Sequence, residues 1–176
     1  MGKFPFYRQL DQMDCGPACL KMIAKHYGKV FSLEILRERC YITKEGVSLL
    51  GISQAAESIN IRTLSVQVDF ETLKDNVPLP CIVNWRQRHF IVIYKIAKNK
   101  IYVADPAIGL LIYKKEKFLD GWLYNKKHTE EGITLLMEPT VDFQGQDEDN
   151  DGDPISSLNF LWHYLKTHKS SMYQLF

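Results

Sequence analysis

The sequence has no long apolar run and no surplus of charge of either sign. It contains no run of about 18 apolar residues, so we predict no membrane-spanning helix within it. The 22 Lys and Arg residues are balanced by 21 Asp and Glu residues. Proteins that bind nucleic acid or anionic membranes by charge carry a basic surplus, so we expect no nucleic-acid partner.

The N-terminus also lacks the features of a targeting segment. The stretch MGKFPFYRQLDQMD has no apolar core and no small-residue cleavage site, which argues against a secretory signal peptide. Phe6 stands where N-myristoylation requires Ser or Thr. Cysteine is scarce, at four residues. Without a secretory signal, we expect reduced thiols in a cytoplasmic compartment rather than a disulfide framework.

The first third of the chain carries helical patterns. Apolar residues recur at helical spacing over residues 15–28, with Pro17 in the first turn and Gly28 as a C-cap. Residues 32–41 and 48–59 predict two further helices, each opened by a serine cap.

After residue 60 the pattern changes to short strands. IRTLSVQV alternates apolar and polar residues, as a half-buried strand does. HFIVIYKI is apolar on both faces, which predicts a central strand covered on each side. This order is typical of an α+β domain, with N-terminal helices packed on an antiparallel β-sheet. The predicted strands are residues 61–68, 81–85, 89–96, 100–106, 109–115 and 132–139.

The composition changes again after residue 140. We therefore predict a domain over residues 1–140 and an acidic linker over 141–154. The stretch 147–153, DEDNDGD, resembles part of a calcium-binding loop but lacks the downstream Glu. Residues 155–176 are amphipathic and aromatic-rich, which predicts a membrane-proximal helix leading toward an absent transmembrane domain.

The first cysteine of DCGPAC is open to several interpretations. Free cysteine is most often a small buried residue, so Cys15 alone is weak evidence of chemistry. No zinc-finger spacing is present, and a disulfide between Cys15 and Cys19 within one helix has poor geometry. A helix N-terminus, however, stabilises a thiolate and helps to hold the oxyanion of a tetrahedral intermediate. Cys19, Cys40 and Cys81 are predicted to be packing residues.

A nucleophilic thiol requires a base, and five histidines are available. His26 lies about 16 Å along the helix from Cys15, which is too far. His89 opens the most apolar strand, where rigid structure fixes the ring. A hydrogen-bonded histidine at a strand end is the alternative. The remaining histidines lie in a polar loop or in the C-terminal tail (His128, His163 and His168).

Asp105 is the candidate for orienting His89. Strands 89–96 and 100–106 are joined by a short polar stretch, so they should pair antiparallel. With a turn centred near Lys98, Asp105 falls opposite Ile91 and on the same face as His89. We predict that Asp105 approaches Nδ1 of His89 and fixes its tautomer. An ordinary turn residue is the alternative, and a one-residue slip would separate the two side chains.

Four stretches together resemble the double-glycine peptidases that process bacteriocins: QLDQMDCGPACLKMIAKHYG, HFIVIYKI, VADPAIG and LLMEPT. Those are papain-like cysteine peptidase domains at the N-terminus of ABC transporters, and the resemblance covers residues 7 to about 140. It implies a papain-like fold with Cys15 as nucleophile, His89 as general base and acid, and Asp105 as the orienting residue. Gln9 is similar to the family's oxyanion-hole glutamine. Asp14 belongs to the motif, but no catalytic role is assigned to it. Its carboxylate is a candidate helix cap, and its charge opposes thiolate formation at Cys15.

The resemblance implies removal of a leader peptide ending in Gly-Gly or Gly-Ala from exported cargo. It implies partners in the transmembrane and nucleotide-binding domains of the same transporter, a homodimer at the cytoplasmic face of a bacterial membrane. No cofactor or metal is expected in this chain, since ATP and Mg²⁺ belong to the absent nucleotide-binding domain. The alternatives are a non-catalytic leader-docking module and a papain-like acyltransferase or transglutaminase.

Overall fold

The computed structural model describes residues 3–41, 46–123 and 130–144. Within these residues lie six helices: α1 (Cys15–His26), α2 (Leu33–Arg39), α3 (Leu49–Glu57), α4 (Phe70–Asp75), α5 (Lys115–Trp122) and α6 (Val141–Gln144). The strands are β1 (Ile61–Val68), β2 (Cys81–Trp85), β3 (His89–Ala97), β4 (Lys100–Asp105), β5 (Gly109–Lys114) and β6 (Gly132–Pro139). The predicted α+β class is confirmed.

The helix ends follow from local side-chain chemistry. The hydroxyl of Ser32 accepts a hydrogen bond from the backbone N–H of Ile35, and Ser48 accepts one from Gly51. Both predicted serine caps are therefore present. At the end of α1, Gly28 has a φ of +99°, which an L side chain rarely adopts, and its N–H donates to the Lys25 carbonyl.

The six strands form one antiparallel sheet in the order β1-β6-β2-β3-β4-β5. The last strand in the chain, β6, is inserted between β1 and β2. The hairpin of β3 and β4 occupies the other half of the sheet, and α1 packs across β3.

Both faces of β3 are buried over its first half, as predicted for strand 89–96. Residues Phe90 and Val92 of β3 pack with α1 and α3 in one core cluster. Ile91 and Ile93 point to the opposite face and pack in a second cluster with Phe118 of α5. A core on each side fixes the position of β3, and therefore of His89 at its start.

The packed core continues beyond the predicted domain end at residue 140. Phe143 of α6 is fully buried in the first core cluster. Its ring meets the Tyr27 ring at a centroid distance of 6.4 Å, and the Lys29 ammonium lies 4.8 Å from its centroid. The start of the predicted linker thus contributes a side chain to the core, and the boundary at residue 140 stays a prediction. The acidic stretch 147–153 and residues 155–176 lie outside the described residues.

In the described ranges, no helix combines the length and the apolar character needed to cross a bilayer. The same ranges contain no group of three or more His, Cys, Asp or Glu side chains placed to hold a metal ion.

Candidate active site

Cys15 is the first residue of α1 and is 4% exposed. The glycine that follows it allows this end of the helix to pack closely. A Cβ on Gly16 would lie 2.6 Å from Cγ1 of Val47 and 2.8 Å from Cδ1 of Ile52. Any side chain at position 16 would therefore push α1 away from α3, and Cys15 with it.

His89 and Asp105 form an ion pair at the edge of the β3–β4 hairpin. His89 Nε2 lies 2.8 Å from Asp105 Oδ1, which also accepts the backbone N–H of Ala107 at 2.9 Å. The Asp105 side chain is 3% exposed and that of His89 is 22% exposed. The partner atom differs from the prediction, which placed Asp105 at Nδ1. Nδ1 is thus the ring nitrogen left for the Cys15 thiol, whose interaction with His89 helps to raise the pKa of the ring.

The register of the hairpin depends on a bulge. Lys98 and Asn99 both have positive φ, 48° and 60°, and form a tight turn that pairs Ala97 with Lys100. Continued without interruption, that pairing would set Asp105 opposite Val92 and place it on the wrong face.

A β-bulge at Tyr94 corrects the register by one residue. Pairing resumes with Ile93 opposite Val103 and Val92 opposite Ala104. Continuing this register places Asp105 opposite Ile91, as predicted, and on the same face of the sheet as His89.

The pair holds His89 in its charged form. Burial lowers the pKa of His89. Hydrogen bonding and the charges of Asp105 and Cys15 raise it by a larger amount, so that the pKa lies at about 9. Burial likewise raises the pKa of Asp105, but the hydrogen bonds from His89 and the Ala107 N–H hold it below its usual value. At neutral pH the site therefore contains an imidazolium beside a carboxylate, next to the thiol.

Gln9 is anchored beside the same hairpin. Its backbone N–H donates to the Pro106 carbonyl at 3.0 Å, directly after Asp105. Its side-chain Oε1 is buried and has no hydrogen-bond partner in the described part of the chain. The segment before α1 is thus tied to the strand that carries Asp105. The oxyanion-hole role of Gln9 stays a prediction.

The other three cysteines are buried free thiols. Cys19 Sγ donates to the Phe90 carbonyl at 3.3 Å, and burial together with the nearby Cys15 and Asp105 charges raises its pKa well above the usual value. Burial raises the pKa of Cys40 to about 12 and also raises that of Cys81. None of the three is a competing nucleophile, in agreement with the packing role predicted for them.

Asp14 does not cap α1 with its side chain. Its fully buried carboxylate accepts the Asp11 backbone N–H on Oδ2 at 3.0 Å, and Oδ1 lies 3.0 Å from Arg37 Nε. Arg37 was not identified from the sequence. Nothing in the sequence pattern links it to Asp14, because the contact exists only once α2 packs against α1.

Trp85 is a second residue that sequence reasoning missed. It pairs directly with His89 across the β2–β3 hairpin. Its ring stacks on Tyr113 at a centroid distance of 5.3 Å and contacts Phe118 at 5.7 Å. Because Trp85 packs in the second core cluster, it fixes the end of β2 that pairs with His89.

His26 contacts aromatic rings and does not reach the site. Its ring lies 5.3 Å from that of Phe4 and 5.1 Å from that of Tyr27. The loop histidine and the two tail histidines lie outside the described residues (His128, His163 and His168).

Comparisons with known sequences all point to the same protein family. The sequence model described as the Peptidase C39 family matches residues 3–140. The chain is 29% identical over 144 residues to the colicin V secretion/processing ATP-binding protein CvaB of Escherichia coli, covering 82% of this chain and 19% of that protein. It is 32% identical over 159 residues to the transport/processing ATP-binding protein ComA of Streptococcus pneumoniae, covering 86% of this chain and 21% of that protein. The chain thus spans about a fifth of the length of these curated relatives.

Solved structures give the same result for the fold. A double glycine motif protease from an AMS/PCAT transporter, in complex with the leader peptide, superposes with a TM-score of 0.71 at 29% identity. The match covers 78% of this chain and 93% of that one. The peptidase domain of Streptococcus ComA superposes with a TM-score of 0.69 at 32% identity, covering 78% of this chain and all of that one. The predicted papain-like arrangement is confirmed.

Proposed function

This chain belongs to the peptidase C39 family, and from that premise we propose that it cleaves double-glycine leader peptides from exported cargo. The observation that carries the proposal is the site itself. A buried cysteine at the start of α1 interacts with His89 and helps to raise its pKa, and His89 is paired at 2.8 Å with a buried Asp105. A non-catalytic leader-docking module has no need of this arrangement.

The chemistry begins from a thiolate–imidazolium pair. The Cys15 thiolate attacks the carbonyl carbon of the residue before the scissile bond, and the N–H groups at the start of α1 hold the oxyanion. We propose that the Gln9 side-chain amide adds a further donor. His89 gives its Nδ1 proton to the leaving amine, while Asp105 holds Nε2. His89 then takes a proton from water, which attacks the thioester and releases the acid.

The substrate proposal rests on the relatives. The protease with a TM-score of 0.71 is described as a double glycine motif protease bound to its leader peptide. We therefore propose Gly-Gly or Gly-Ala at the cut site. Two small residues also suit a nucleophile that is only 4% exposed, since a bulky side chain would not approach it.

The test is incubation with a synthetic double-glycine leader peptide, followed by mass determination of the products. Cleavage after the glycine pair is expected, and Cys15→Ala should reduce it to background while the far-UV circular dichroism is unchanged. Cys19→Ala is the matched control, because Cys19 lies one turn further along α1 and points into the core. Full residual cleavage by Cys15→Ala would contradict the proposal.

Two other outcomes address the alternatives. A docking module predicts slow alkylation of Cys15 that is insensitive to His89→Ala. An acyltransferase or transglutaminase predicts an amine-linked product in place of the free acid. We expect neither.

The proposed setting is an ABC exporter. The curated relatives are transport and processing proteins about five times as long as the matched region. We propose that this chain works beside transmembrane and nucleotide-binding domains at the cytoplasmic face of the membrane, in a homodimer. Peptide hydrolysis at Cys15 requires no cofactor, and ATP and Mg²⁺ would serve the nucleotide-binding domain.

A further inference from the structure

A buried carboxylate lies directly beside the proposed nucleophile. Asp14 precedes Cys15 and its side chain is 0% exposed. A negative charge at this position opposes ionisation of the neighbouring thiol, and low polarity strengthens the effect. A positive charge that offsets Asp14 would therefore favour the thiolate of Cys15, in addition to the helix N-terminus and the His89 imidazolium.

The carboxylate also has a structural task. Asp14 Oδ2 accepts the N–H of Asp11 at 3.0 Å, and the Asp14 N–H donates to the Asp11 carbonyl at 3.1 Å. These two bonds close the turn that connects Gln9 to Cys15. Since Gln9 is tied to Pro106 at 3.0 Å, the turn links the start of α1 to the strand that carries Asp105. An acceptor at position 14 is thus required for the shape of the site.

We propose that Arg37 is a positioning residue that acts through Asp14: it offsets the carboxylate's charge so that Cys15 can hold a thiolate. Arg37 Nε lies 3.0 Å from Asp14 Oδ1, and its side chain is 42% exposed. Arg37 reaches Asp14 from α2, a different element from those that carry the nucleophile, the base and the orienting acid.

Among the described residues, Arg37 is the basic side chain that forms an ion pair with Asp14. The other charged groups on the elements around the thiol include His89 of β3 and Asp105 of β4, which pair with each other, and Asp11 in the turn before α1, whose carboxylate accepts the Met13 N–H. The thiols of Cys19 and Cys40 also interact electrostatically with Cys15, and both are held neutral by burial. Around Gly16, the side chains nearest to an added Cβ are those of the apolar Val47, just before α3, and Ile52 of α3.

The inference rests on Cys15 being the nucleophile of the proposed function, and its test uses Cys15 itself rather than leader cleavage. The rate of iodoacetamide modification of Cys15 is measured against pH by mass spectrometry of the peptide that contains it. In Arg37→Met the midpoint of this profile should move upward by about one pH unit. Arg39→Met is the matched control, because Arg39 lies on the same helix and its guanidinium binds Ser58 instead. It should leave the midpoint unchanged.

Two further variants separate electrostatics from loss of structure. Asp14→Asn keeps an acceptor for Asp11 and leaves Arg37 without its partner charge, so its midpoint should move downward. Asp14→Asn combined with Arg37→Met should return close to the parent value. Arg37→Lys keeps the charge and should stay nearer to the parent than Arg37→Met does.

An unchanged midpoint in Arg37→Met would overturn the inference, as would a double variant that reacts no better than Arg37→Met alone. If Arg37→Met does not fold, an unshifted or raised midpoint in Asp14→Asn overturns it instead. A parent protein in which Cys15 reacts only as an ordinary thiol, above about pH 8, would contradict the proposed function itself and the inference with it. The two failures are thus distinguishable.

Discussion

At the scale of single residues, His89 determines how the site responds to pH. Its ring is held by Asp105 on Nε2, and the interactions with Asp105 and Cys15 outweigh the effect of burial and raise the pKa of His89 to about 9. The imidazolium is therefore present throughout the neutral range and is lost only as the pH rises through about 9. Activity that depends on this proton should fall on the alkaline side.

Replacing Asp105 by Asn should move that alkaline limb to lower pH. The substitution keeps an oxygen acceptor for Nε2 but removes the negative charge that raises the pKa of His89. The limb of kcat/KM against pH should shift by about one unit toward acid, and the maximum rate should fall. Asp142→Asn, an exposed carboxylate on α6, should leave the profile unchanged. An unshifted limb in Asp105→Asn would show that another group sets it.

Individual side-chain orientations were the least predictable feature of the site. The sequence pattern predicts His89 and Asp105 on one face, and the structure places them there. Which ring nitrogen meets the carboxylate depends on the side-chain rotamer, so Nδ1 was predicted where Nε2 is observed. Asp14 was a reasonable helix cap by sequence position, yet Arg37 and Asp11 compete for its oxygens and the cap is not formed.

At the scale of elements, the β3–β4 hairpin shows why a correct prediction can depend on an unseen feature. The turn was expected near Lys98 and lies between Lys98 and Asn99, half a residue away. Alone, this difference would invert the face of Asp105. The bulge at Tyr94 restores the expected pairing. No local pattern in HFIVIYKI predicts a bulge.

An aromatic contact with the N-terminal segment holds the bulge at Tyr94 in place. The rings of Phe4 and Tyr94 stack at a centroid distance of 4.5 Å with an interplanar angle of 7°, and Phe4 is 9% exposed. We expect a double-mutant cycle with Phe4→Ala and Tyr94→Ala to give a coupling of about 1 kcal/mol in the free energy of unfolding. Denaturant titration measures it.

The control cycle combines Phe4→Ala with Tyr113→Ala. Tyr113 stacks on Trp85 on the opposite face of the sheet, so the two effects should add. Equal coupling in both cycles would mean that the measured energy does not come from the Phe4–Tyr94 contact.

At the scale of the whole molecule, the fold class was predictable because it depends on broad patterns. Helical periodicity before residue 60 and short strands after it are enough to assign an α+β domain. The strand order could not be predicted from these patterns, because the pairing of β6 with β1 and β2 joins residues that are far apart in sequence. The contribution of α6 was not predictable for a similar reason: the composition changes after residue 140, yet the Phe143 ring is buried against Tyr27.

Two truncated chains should differ sharply in stability. A chain ending at residue 140 lacks Phe143, and loss of a fully buried aromatic side chain costs about 3–5 kcal/mol. A chain ending at residue 144 keeps it and should unfold at a correspondingly higher denaturant concentration. Phe143→Ala in the longer chain should reproduce most of the loss. Equal stability of the two truncated chains would show that α6 does not contribute to the core.

The central position of β6 has a consequence for synthesis of the chain. The sheet halves formed by β1 and by β2 to β5 are joined only through this last strand. A nascent chain that has released Cys15, His89 and Asp105 from the ribosome still lacks the strand that completes the sheet. Long-range pairing of this kind folds late. We therefore expect the site to be assembled only after residues 132–139 have emerged, so that a growing chain acquires the proposed activity only when its synthesis has passed that point.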